Sequence, residues 1–355
     1  MVTDLTFICP QLSGNGGTEV ALVKAVNALA DQHRITVILS STPSNPTWLG
    51  QINPRVRVIT NNFTNSLTKA VYFGKLFISA RSNDHFIILA ANLIKYASFV
   101  RRYCRKQYTI TSWIHYSLDD QQMFNANNIL FADNHWAISS SIKKQLISRG
   151  VSEKQITLVY NAVDEYSGKL NRVQNDDVLR LVYIGRIELG DQKNLRELMD
   201  GLAQYSGKFT VDFYGDAADL SACQQYSKKV GISSCVRWHG WIANPWDEVL
   251  EKIHPNALVL TSRYEGLPMT LLEGISRGIP AVVADFVGYH DVVKEGINGF
   301  SYPRGDQQKL VKQLKRVKDV TWSPEKISQS IKSYSFDVYK ARLEQAVEQL
   351  TGVDD

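Results

Sequence analysis

Residues 262–280 read SRYEGLPMTLLEGISRGIP and determine how the second half of the chain folds. Glu265 and Glu273 stand eight positions apart, and an apolar run lies between Pro268 and Gly278. Proline suits the first turn of a helix, where its missing N–H costs nothing, and glycine with a proline shortly after it ends one. The pattern therefore predicts a short helix, with Glu265 in the loop before it and Glu273 about two turns along.

The amino end of this predicted helix is suited to bind an anion, because its first N–H groups have no intrahelical partner. A carboxylate lies on each side of that end. One carboxylate can accept hydrogen bonds from sugar hydroxyls and the other from ribose hydroxyls, while the amides hold a diphosphate. The alternative is an ordinary amphipathic helix with two solvated glutamates. The residues assigned to a sugar-nucleotide donor here are Glu265, Gly266, Leu267, Pro268, Met269, Thr270 and Glu273.

Length and composition indicate a globular protein of two domains. The chain has 355 residues, of which 44% are hydrophobic and 21% charged. No apolar run is long enough to span a bilayer, and no signal-peptide pattern opens the chain. Four cysteines are scattered without metal-ligand spacing, which predicts buried free thiols in a reducing cytoplasm.

Positive charge is concentrated in the first half. Residues 1–165 hold 16 Lys and Arg against 10 Asp and Glu, whereas residues 166–355 hold 24 against 25. Between Lys69 and Lys106 there are eight basic residues and one acid, Asp84. This asymmetry predicts that the first half meets an anionic partner.

Apolar segments rich in β-branched residues alternate with helical patterns along the whole chain, which predicts parallel sheets covered on both faces. The polar segment 165–178 reads as a linker, and the spacing of apolar residues over 335–350 predicts a terminal helix. The predicted strands are 5–10, 34–40, 55–60, 85–90, 108–114 and 135–139 in the first half, and 179–186, 208–216, 235–241, 257–262 and 279–285 in the second.

Together these segments resemble a known family. The stretch 262–280, the strand PAVVAD (280–285) and the loop VVKEGINGFSYPRGD (292–306) are similar to the E-x7-E region of the retaining glycosyltransferases of family 4. The resemblance implies an α/β protein of the GT-B fold, in which two Rossmann-like domains with parallel sheets face each other across a cleft. It also implies an acceptor-binding domain over 1–165, a nucleotide-sugar-binding domain over 166–334, and a helix over 335–355 that crosses back to the first domain.

Arg186 and Lys193 are the basic residues expected at the donor. Gly185-Arg186 ends a predicted strand and Lys193-Asn194 precedes a predicted helix, which resembles the family's G-R…K-N element. A departing diphosphate gains negative charge, and fixed cations stabilise that charge. The intervening segment IELGDQ (187–192) carries two acids that oppose this field. The alternative is that both cations are ordinary surface residues.

Further site residues follow from the resemblance. Gly16 and Gly17, in the loop SGNGG before a helix, would face the donor, although such a loop is also an ordinary strand–helix turn.

His115 would contact the sugar near the reacting carbon, and His135 is the competing histidine. Asp119 and Asp120 are close to His115 in the sequence and would either contact the hydroxyls of the acceptor or be solvated loop acids. Trp241, in WHGW (238–241), would pack on uracil, unless both tryptophans of this motif belong to the core.

No metal and no cofactor beyond the donor substrate is expected, because no D-x-D triplet occurs in the chain. Residues 95–108 interleave aromatic and basic side chains and predict either an amphipathic helix on anionic lipid or a solvated helix face. No nucleic-acid-binding module is recognisable.

The residues and the resemblance together imply a metal-independent, retaining hexosyltransferase with His115, Glu265, Arg186 and Lys193 at the reacting centre. The donor would be a UDP-hexose, and the acceptor a hydroxyl of a cell-envelope glycan, teichoic acid or lipid-linked glycan. The enzyme would act in the cytoplasm, at the inner face of the membrane. The alternatives are a GT-B UDP-sugar epimerase, such as a UDP-N-acetylglucosamine 2-epimerase, and a catalytically silent glycosyltransferase-like subunit.

Overall fold

The computed structural model describes residues 2–14, 16–63, 65–122, 124–174, 176–216 and 219–351. The chain divides into two compact units, one formed by the residues up to Ala162 together with the segment from Phe336, the other by Val163–Ser335. The sequence placed these divisions after residues 165 and 334. The binding roles given to the two domains stay predictions.

The first unit is built on one parallel sheet with helices between its strands. Its strands are β1 (Asp4–Cys9), β2 (Arg34–Leu39), β3 (Arg57–Thr60), β4 (Asp84–Ile88), β5 (Thr109–Ser112), β6 (Asn134–Ala137) and β7 (Ile156–Leu158). Its first four helices are α1 (Gly17–Leu29), α2 (Ser66–Ser79), α3 (Ala91–Tyr103) and α4 (Ser140–Ser148). Among the described residues the strand order is β3-β2-β1-β4-β5-β6-β7.

The second unit repeats this arrangement. Its strands are β8 (Val178–Ile184), β9 (Lys208–Tyr214), β10 (Val236–Gly240), β11 (Ala257–Leu260), β12 (Ala281–Ala284) and β13 (Gly299–Tyr302). Its helices are α5 (Leu195–Ala203), α6 (Leu220–Lys229), α7 (Trp246–Glu248, continued by the π-helical turn Val249–Ile253), α8 (Met269–Ser276), α9 (Gln307–Asp319) and α10 (Pro324–Gln329). Within the described segments the strand order is β10-β9-β8-β11-β12-β13.

The central strands are apolar throughout because helices cover both faces of each sheet. Every residue of β11 and of β12 is buried, as expected for a parallel sheet in an α/β protein. The prediction of parallel sheets is therefore confirmed. Two short strands, β7 and β13, were not predicted.

The helix predicted within 262–280 is α8, which spans Met269–Ser276. Pro268 occupies the position just before the helix, in an extended conformation with ψ 101°, so placing it in the first turn was wrong. Gly278 follows the last turn with φ +77°, a left-handed conformation that favours glycine and ends the helix.

The last helix, α11 (Phe336–Thr351), belongs to the first unit and packs against α1. Its buried residues Tyr339, Leu343, Ala346 and Val347 form one apolar stripe. Polar contacts at its edge join Gln32 to Glu344 and Thr157 to Gln349, both at 2.7 Å.

Residues 95–108 do not form a single amphipathic helix. Helix α3 ends at Tyr103. Arg101 forms a bidentate ion pair with Asp133 and donates to the backbone oxygen of Tyr108 at 2.9 Å. The Tyr108 ring is fully buried, and its hydroxyl donates to the Ala97 oxygen at 2.7 Å. Including Arg101 and Tyr108 in a lipid-facing surface was therefore wrong, since both hold the fold together.

All four cysteines are free thiols. Cys9 and Cys223 are buried as predicted, whereas Cys104 is exposed and Cys235 half-buried, which corrects the expectation of four buried thiols. No helix in the described part of the chain combines the length and apolar content needed to cross a membrane.

Candidate active site

Three neighbouring strands of the second sheet, β8, β9 and β10, end side by side, and their turns bond to each other. Gly185 N–H donates to the Tyr214 oxygen at 2.9 Å, and Gly215 N–H donates to the Gly240 oxygen at 2.8 Å. A Cβ atom on Gly215 would lie 1.8 Å from the Gly185 oxygen, so only glycine fits there. This close approach places the segments that carry Arg186 and Trp241 at one edge of the sheet.

Lys193 and Glu265 form a buried ion pair at this edge. Lys193 Nζ lies 2.6 Å from Glu265 Oε1, and the two side chains are only 16% and 9% exposed. Lys193 precedes α5 by two residues, and Glu265 precedes α8 by four. Lys193 thus lies beside Glu265 in the loop that leads into α8, and the donor-binding roles of both residues stay predictions. A buried pair of this kind is stable only while both charges remain.

Gln192 connects the loop before α5 with the loop before α8. Its Nε2 donates to the Tyr264 oxygen at 3.0 Å, and its backbone oxygen accepts from Arg263 N–H at 2.8 Å. Its Oε1 accepts from Arg186 Nη2 at 2.6 Å. The two loops therefore form one hydrogen-bonded layer, and Gln192 is a site residue that the sequence interpretation missed.

Glu188 holds both predicted cations. One carboxylate oxygen forms an ion pair with Arg186, and the other accepts from the backbone N–H of Lys193 at 3.3 Å. Its side chain is 9% exposed, whereas that of Arg186 is 56% exposed. The sequence interpretation treated this acid only as an opposing charge. In the structure it orients the guanidinium and fixes the backbone of Lys193, so it also positions the cations.

Glu273 is oriented by Trp246 of α7, whose Nε1 donates to Glu273 Oε2 at 3.0 Å. Trp246 is buried, and it packs against α8 because residue 274 is glycine: a Cβ there would lie 3.3 Å from Trp246 Cη2. Trp246 was missed by the sequence interpretation, although a glycine within a helix is a signal of close packing.

Replacing Trp246 with phenylalanine is expected to weaken UDP binding about tenfold. Most of the buried ring remains, but the hydrogen bond to a charged carboxylate, which contributes about 1.5–3 kcal/mol, is lost. Isothermal titration with UDP measures the change. Trp238→Phe is the matched control, since Trp238 stacks on Phe213 at 4.5 Å. UDP affinity that stays within twofold in Trp246→Phe would contradict a role for this bond.

Trp241 follows β10 and is half-exposed. Trp238, in the same motif, packs against the core cluster of the second unit. Beside them His239 stacks on Tyr214 with ring centres 4.2 Å apart, and His239 Nε2 lies 2.7 Å from Oδ1 of the buried Asp212. Of the two tryptophans, Trp241 is thus the one available to a ligand, and the assignment to uracil stays a prediction.

The remaining donor residues before and in α8 lie where the helix begins. Glu265, Leu267 and Pro268 are buried, and Gly266, Met269 and Thr270 are half-buried. Among the described residues, no three His, Cys, Asp or Glu side chains come together as metal ligands would.

The glycine loop of the first unit is closed by Glu19. Gly16 precedes α1 and Gly17 is its first residue. The buried Glu19 carboxylate accepts from Gly14 N–H at 2.6 Å and from the Ser13 hydroxyl at 3.3 Å. Both glycines stay exposed. Their contact with a donor stays a prediction.

His115 and His135 differ sharply in their surroundings. His115 follows β5, with its ring 4.5 Å from that of Trp113, and its buried Nε2 has no hydrogen-bond partner among the described residues. Burial lowers the pKa of His115 to about 3, so its imidazole is neutral at physiological pH. His135 is buried, and its Nδ1 lies 2.7 Å from the Ser112 hydroxyl. His135 is a core residue, whereas His115 keeps a ring nitrogen for a ligand.

Asp119 and Asp120 are both engaged in local contacts. Asp119 pairs with Arg149 at 2.6 Å, and Asp120 accepts from the Ser117 hydroxyl at 2.7 Å. These contacts favour a structural role in the loop over contacts to an acceptor.

Known proteins resemble this chain over nearly its whole length. The lipopolysaccharide 1,6-galactosyltransferase of Salmonella typhimurium is 34% identical over 322 residues, which cover 88% of this chain and 89% of the relative. The Escherichia coli enzyme of the same name is 31% identical, with 97% of both chains covered. The solved structure of the apo lipopolysaccharide outer core galactosyltransferase WaaB superposes with a TM-score of 0.85 at 32% identity, covering 97% of this chain and 99% of that chain.

A second solved structure, Anabaena Alr3699/HepE in complex with UDP, has the same fold, with a TM-score of 0.78 at 20% identity; the match covers 98% of this chain and 100% of that chain. The two parallel sheets and these matches define a GT-B protein, which confirms the predicted fold class. The family described as glycosyl transferases group 1 matches residues 147–334. The chain belongs to this family and is a glycosyltransferase.

Proposed function

We propose that this enzyme transfers galactose from UDP-galactose to a hydroxyl group of a lipopolysaccharide core glycan. The observation that carries the donor assignment is the ion pair between Lys193 and the buried Glu265, which lies in the loop that leads into α8. The hexose and the acceptor are inferred from the lipopolysaccharide 1,6-galactosyltransferases, which are 34% and 31% identical to this chain. The chain resembles them more closely than it resembles TarM, whose solved structure is 11% identical.

Lys193 and Arg186 would stabilise the departing diphosphate. A lysine ammonium has three donors, so Lys193 can keep its bond to Glu265 while donating to a phosphate oxygen. Arg186 is half-exposed, and Glu188 and Gln192 accept one N–H each from its Nη1 and Nη2, so the second N–H of each Nη group can donate to a phosphate oxygen. The free N–H groups of the first turn of α8 add to this field. As the glycosidic bond breaks, negative charge grows on the diphosphate and these groups stabilise it.

The two glutamates would divide the donor between them. Glu273, held by Trp246, accepts from ribose hydroxyls, and Glu265 accepts from the hexose while it orients Lys193. His115, being neutral, can donate or accept a hydrogen bond at the hexose without adding charge. We place Gly16, Gly17 and Trp241 at the donor as well, Trp241 against the base.

Retention of configuration and metal independence are parts of the same proposal. The first rests on the resemblance to glycosyltransferases of family 4 and its E-x7-E spacing, the second on the lack of a D-x-D triplet together with the cations that can replace a metal. Product analysis by NMR should show an α-linked galactose, and activity should persist in EDTA. A β-linked product or loss of activity in EDTA would overturn the corresponding part.

The test of the function is transfer from a panel of UDP-hexoses to a truncated lipopolysaccharide that lacks its outer core. Galactose incorporation should exceed glucose incorporation at least tenfold. An epimerase would convert the donor without any acceptor, and a silent subunit would bind no UDP and turn over no donor. Either result would replace the proposal with that alternative.

We also propose that the enzyme acts at the cytoplasmic face of a membrane, and an exposed surface of aromatic and basic side chains around α3 supports this. Phe99 and Tyr103 of α3 are exposed, and Phe131 lies 5.9 Å from Phe99. Lys95 lies over both phenylalanine rings, at 5.9 and 5.6 Å. The exposed Arg102 and Arg105 follow along the chain. Exposed aromatic side chains together with exposed basic side chains fit an anionic lipid surface.

Charge reversal at Arg102 and Arg105 is expected to lower partitioning onto anionic vesicles at least roughly 30-fold, since each basic residue near such a surface contributes about 1 kcal/mol. Co-sedimentation at low salt measures this. Arg101 is left intact because of its ion pair with Asp133. Lys144→Glu with Lys154→Glu makes the same change of net charge elsewhere and should have little effect. Equal losses in both variants would show a net-charge effect without a docking surface.

A further inference from the structure

A cavity of about 270 Å³ lies at the carboxyl ends of β1, β2 and β3. Gln11 follows β1, Ser41 follows β2, and Phe63 and Asn65 lie between β3 and α2. In open parallel sheets, ligands bind outside the carboxyl ends of the strands, beside the point where the strand order reverses. Here the order reverses between β1 and β4, and Gln11 of the cavity lining follows β1.

The cavity offers positive charge at the amino end of a long helix. Lys69 lines it from the first turn of α2, and among the described residues no carboxylate forms an ion pair with Lys69. The Asn65 side chain accepts from Thr68 N–H at 2.9 Å. The N–H groups of Ser66 and Leu67, at the very start of the helix, have no intrahelical acceptor. Lysine and these amides together suit an anionic group.

A buried hydroxyl points independently to a ligand. The Ser41 hydroxyl oxygen is buried and has no hydrogen-bond partner among the described residues. The neighbouring Ser40 differs, because its hydroxyl donates to the Cys9 oxygen at 2.6 Å. An unpaired buried hydroxyl is costly, and a ligand with a polar group in the cavity would satisfy it.

Phe63 gives the cavity an aromatic wall. Its ring is held by Tyr72 and Phe73, with ring centres at 5.3 and 5.8 Å, and it stays half-exposed. The negative face of an aromatic ring attracts the polarised C–H groups of a sugar ring. The planar amides of Gln11 and Asn65 can bond to sugar hydroxyls. The cavity thus combines a surface that can bind a sugar ring, at Phe63, with a group of donors that can bind an anion, at Lys69 and the amino end of α2.

We propose that this cavity binds a sugar that carries an anionic group, a phosphate or a carboxylate, and that the sugar belongs to the acceptor glycan. The anionic sugar site stands on the cavity alone. Its place on the acceptor rests on the proposed function.

The experiment is calorimetric titration of galactose 6-phosphate into the full chain saturated with UDP, so that the donor's diphosphate site is already filled. The wild type should bind, and Lys69→Met should weaken binding roughly 10- to 150-fold, the loss expected for a charge-assisted hydrogen bond. Lys75→Met is the matched control, since Lys75 is exposed on the same helix. Methyl galactoside, which has no charge, should bind at least tenfold more weakly. Galacturonate in place of the phosphate distinguishes the two anions.

The proposal is overturned if neither anionic sugar binds, if Lys69→Met binds as the wild type does, or if Lys75→Met loses as much affinity. Ser41→Ala and Phe63→Leu supply a second check and should each weaken binding at least threefold. UDP affinity is measured separately. If UDP does not bind, the proposed function fails, and the same titration without UDP still decides whether the cavity holds an anionic sugar.

Discussion

Replacing Lys193 with methionine is expected to lower kcat/KM for the sugar nucleotide roughly 10- to 150-fold, because a charge-assisted hydrogen bond to phosphate contributes about 1.5–3 kcal/mol. The substitution should also lower stability. Glu265 Oε1 lies 2.6 Å from Lys193 Nζ and its side chain is only 9% exposed. Removing one partner leaves the other charge buried and unpaired, a change that costs about 3–5 kcal/mol in such pairs. Steady-state kinetics and thermal unfolding measure the two effects.

A double variant separates the two causes. Lys193→Met with Glu265→Gln removes both charges, so most of the lost stability should return while activity stays low. If activity returned together with stability, Lys193 would act only by neutralising Glu265, and the phosphate contact would be wrong. Turnover of Lys193→Met within threefold of the wild type would contradict the assignment directly.

Replacing Glu265 with glutamine is expected to lower kcat roughly 10- to 150-fold and to leave UDP affinity unchanged or slightly higher. Glutamine keeps the volume and can still accept from Lys193, but the site loses one negative charge that faces the diphosphate. The expected loss of turnover reflects a hydrogen bond between a charged carboxylate and the hexose. Calorimetry with UDP and single-turnover kinetics measure both quantities.

Glu273→Gln is the control for this division of roles, because Glu273 is assigned to the ribose. It should weaken UDP itself, by about as much as Trp246→Phe does, since the indole of Trp246 orients the Glu273 carboxylate. Equal losses of UDP affinity in Glu265→Gln and Glu273→Gln would show that the two carboxylates do not act on different parts of the donor.

Most strands could be predicted from the sequence because β-branched runs bounded by polar residues are a local signal. Strand β13 was not predicted because it begins with a glycine and is only four residues long. Strand β7, with three residues, is shorter still. Both are edge strands, and it is pairing with β12 and β6 that makes them strands. The conformation of Pro268 was also missed, since a proline before a helix and one within its first turn differ only in ψ.

The candidate site was predictable where it depends on motif spacing and not where it depends on tertiary contacts. Arg186, Lys193 and Glu265 carry recognisable spacing, and the fold joins the last two. Gln192 acts through bonds between two loops, and its partner Tyr264 lies 72 residues further along the chain. No pattern within a single segment encodes such a bond. The same reason explains Arg101, whose partner Asp133 lies on the far side of β5 in the sequence.

Helix α11 is the last described element of the chain, yet its apolar stripe lies against α1, near the beginning. The order of protein synthesis therefore runs against the order of assembly. The unit Val163–Ser335 is continuous and can fold as soon as it leaves the ribosome. The first unit, although translated earlier, must keep part of its apolar surface uncovered until about 170 further residues have been made, which makes this nascent surface a natural substrate for chaperones.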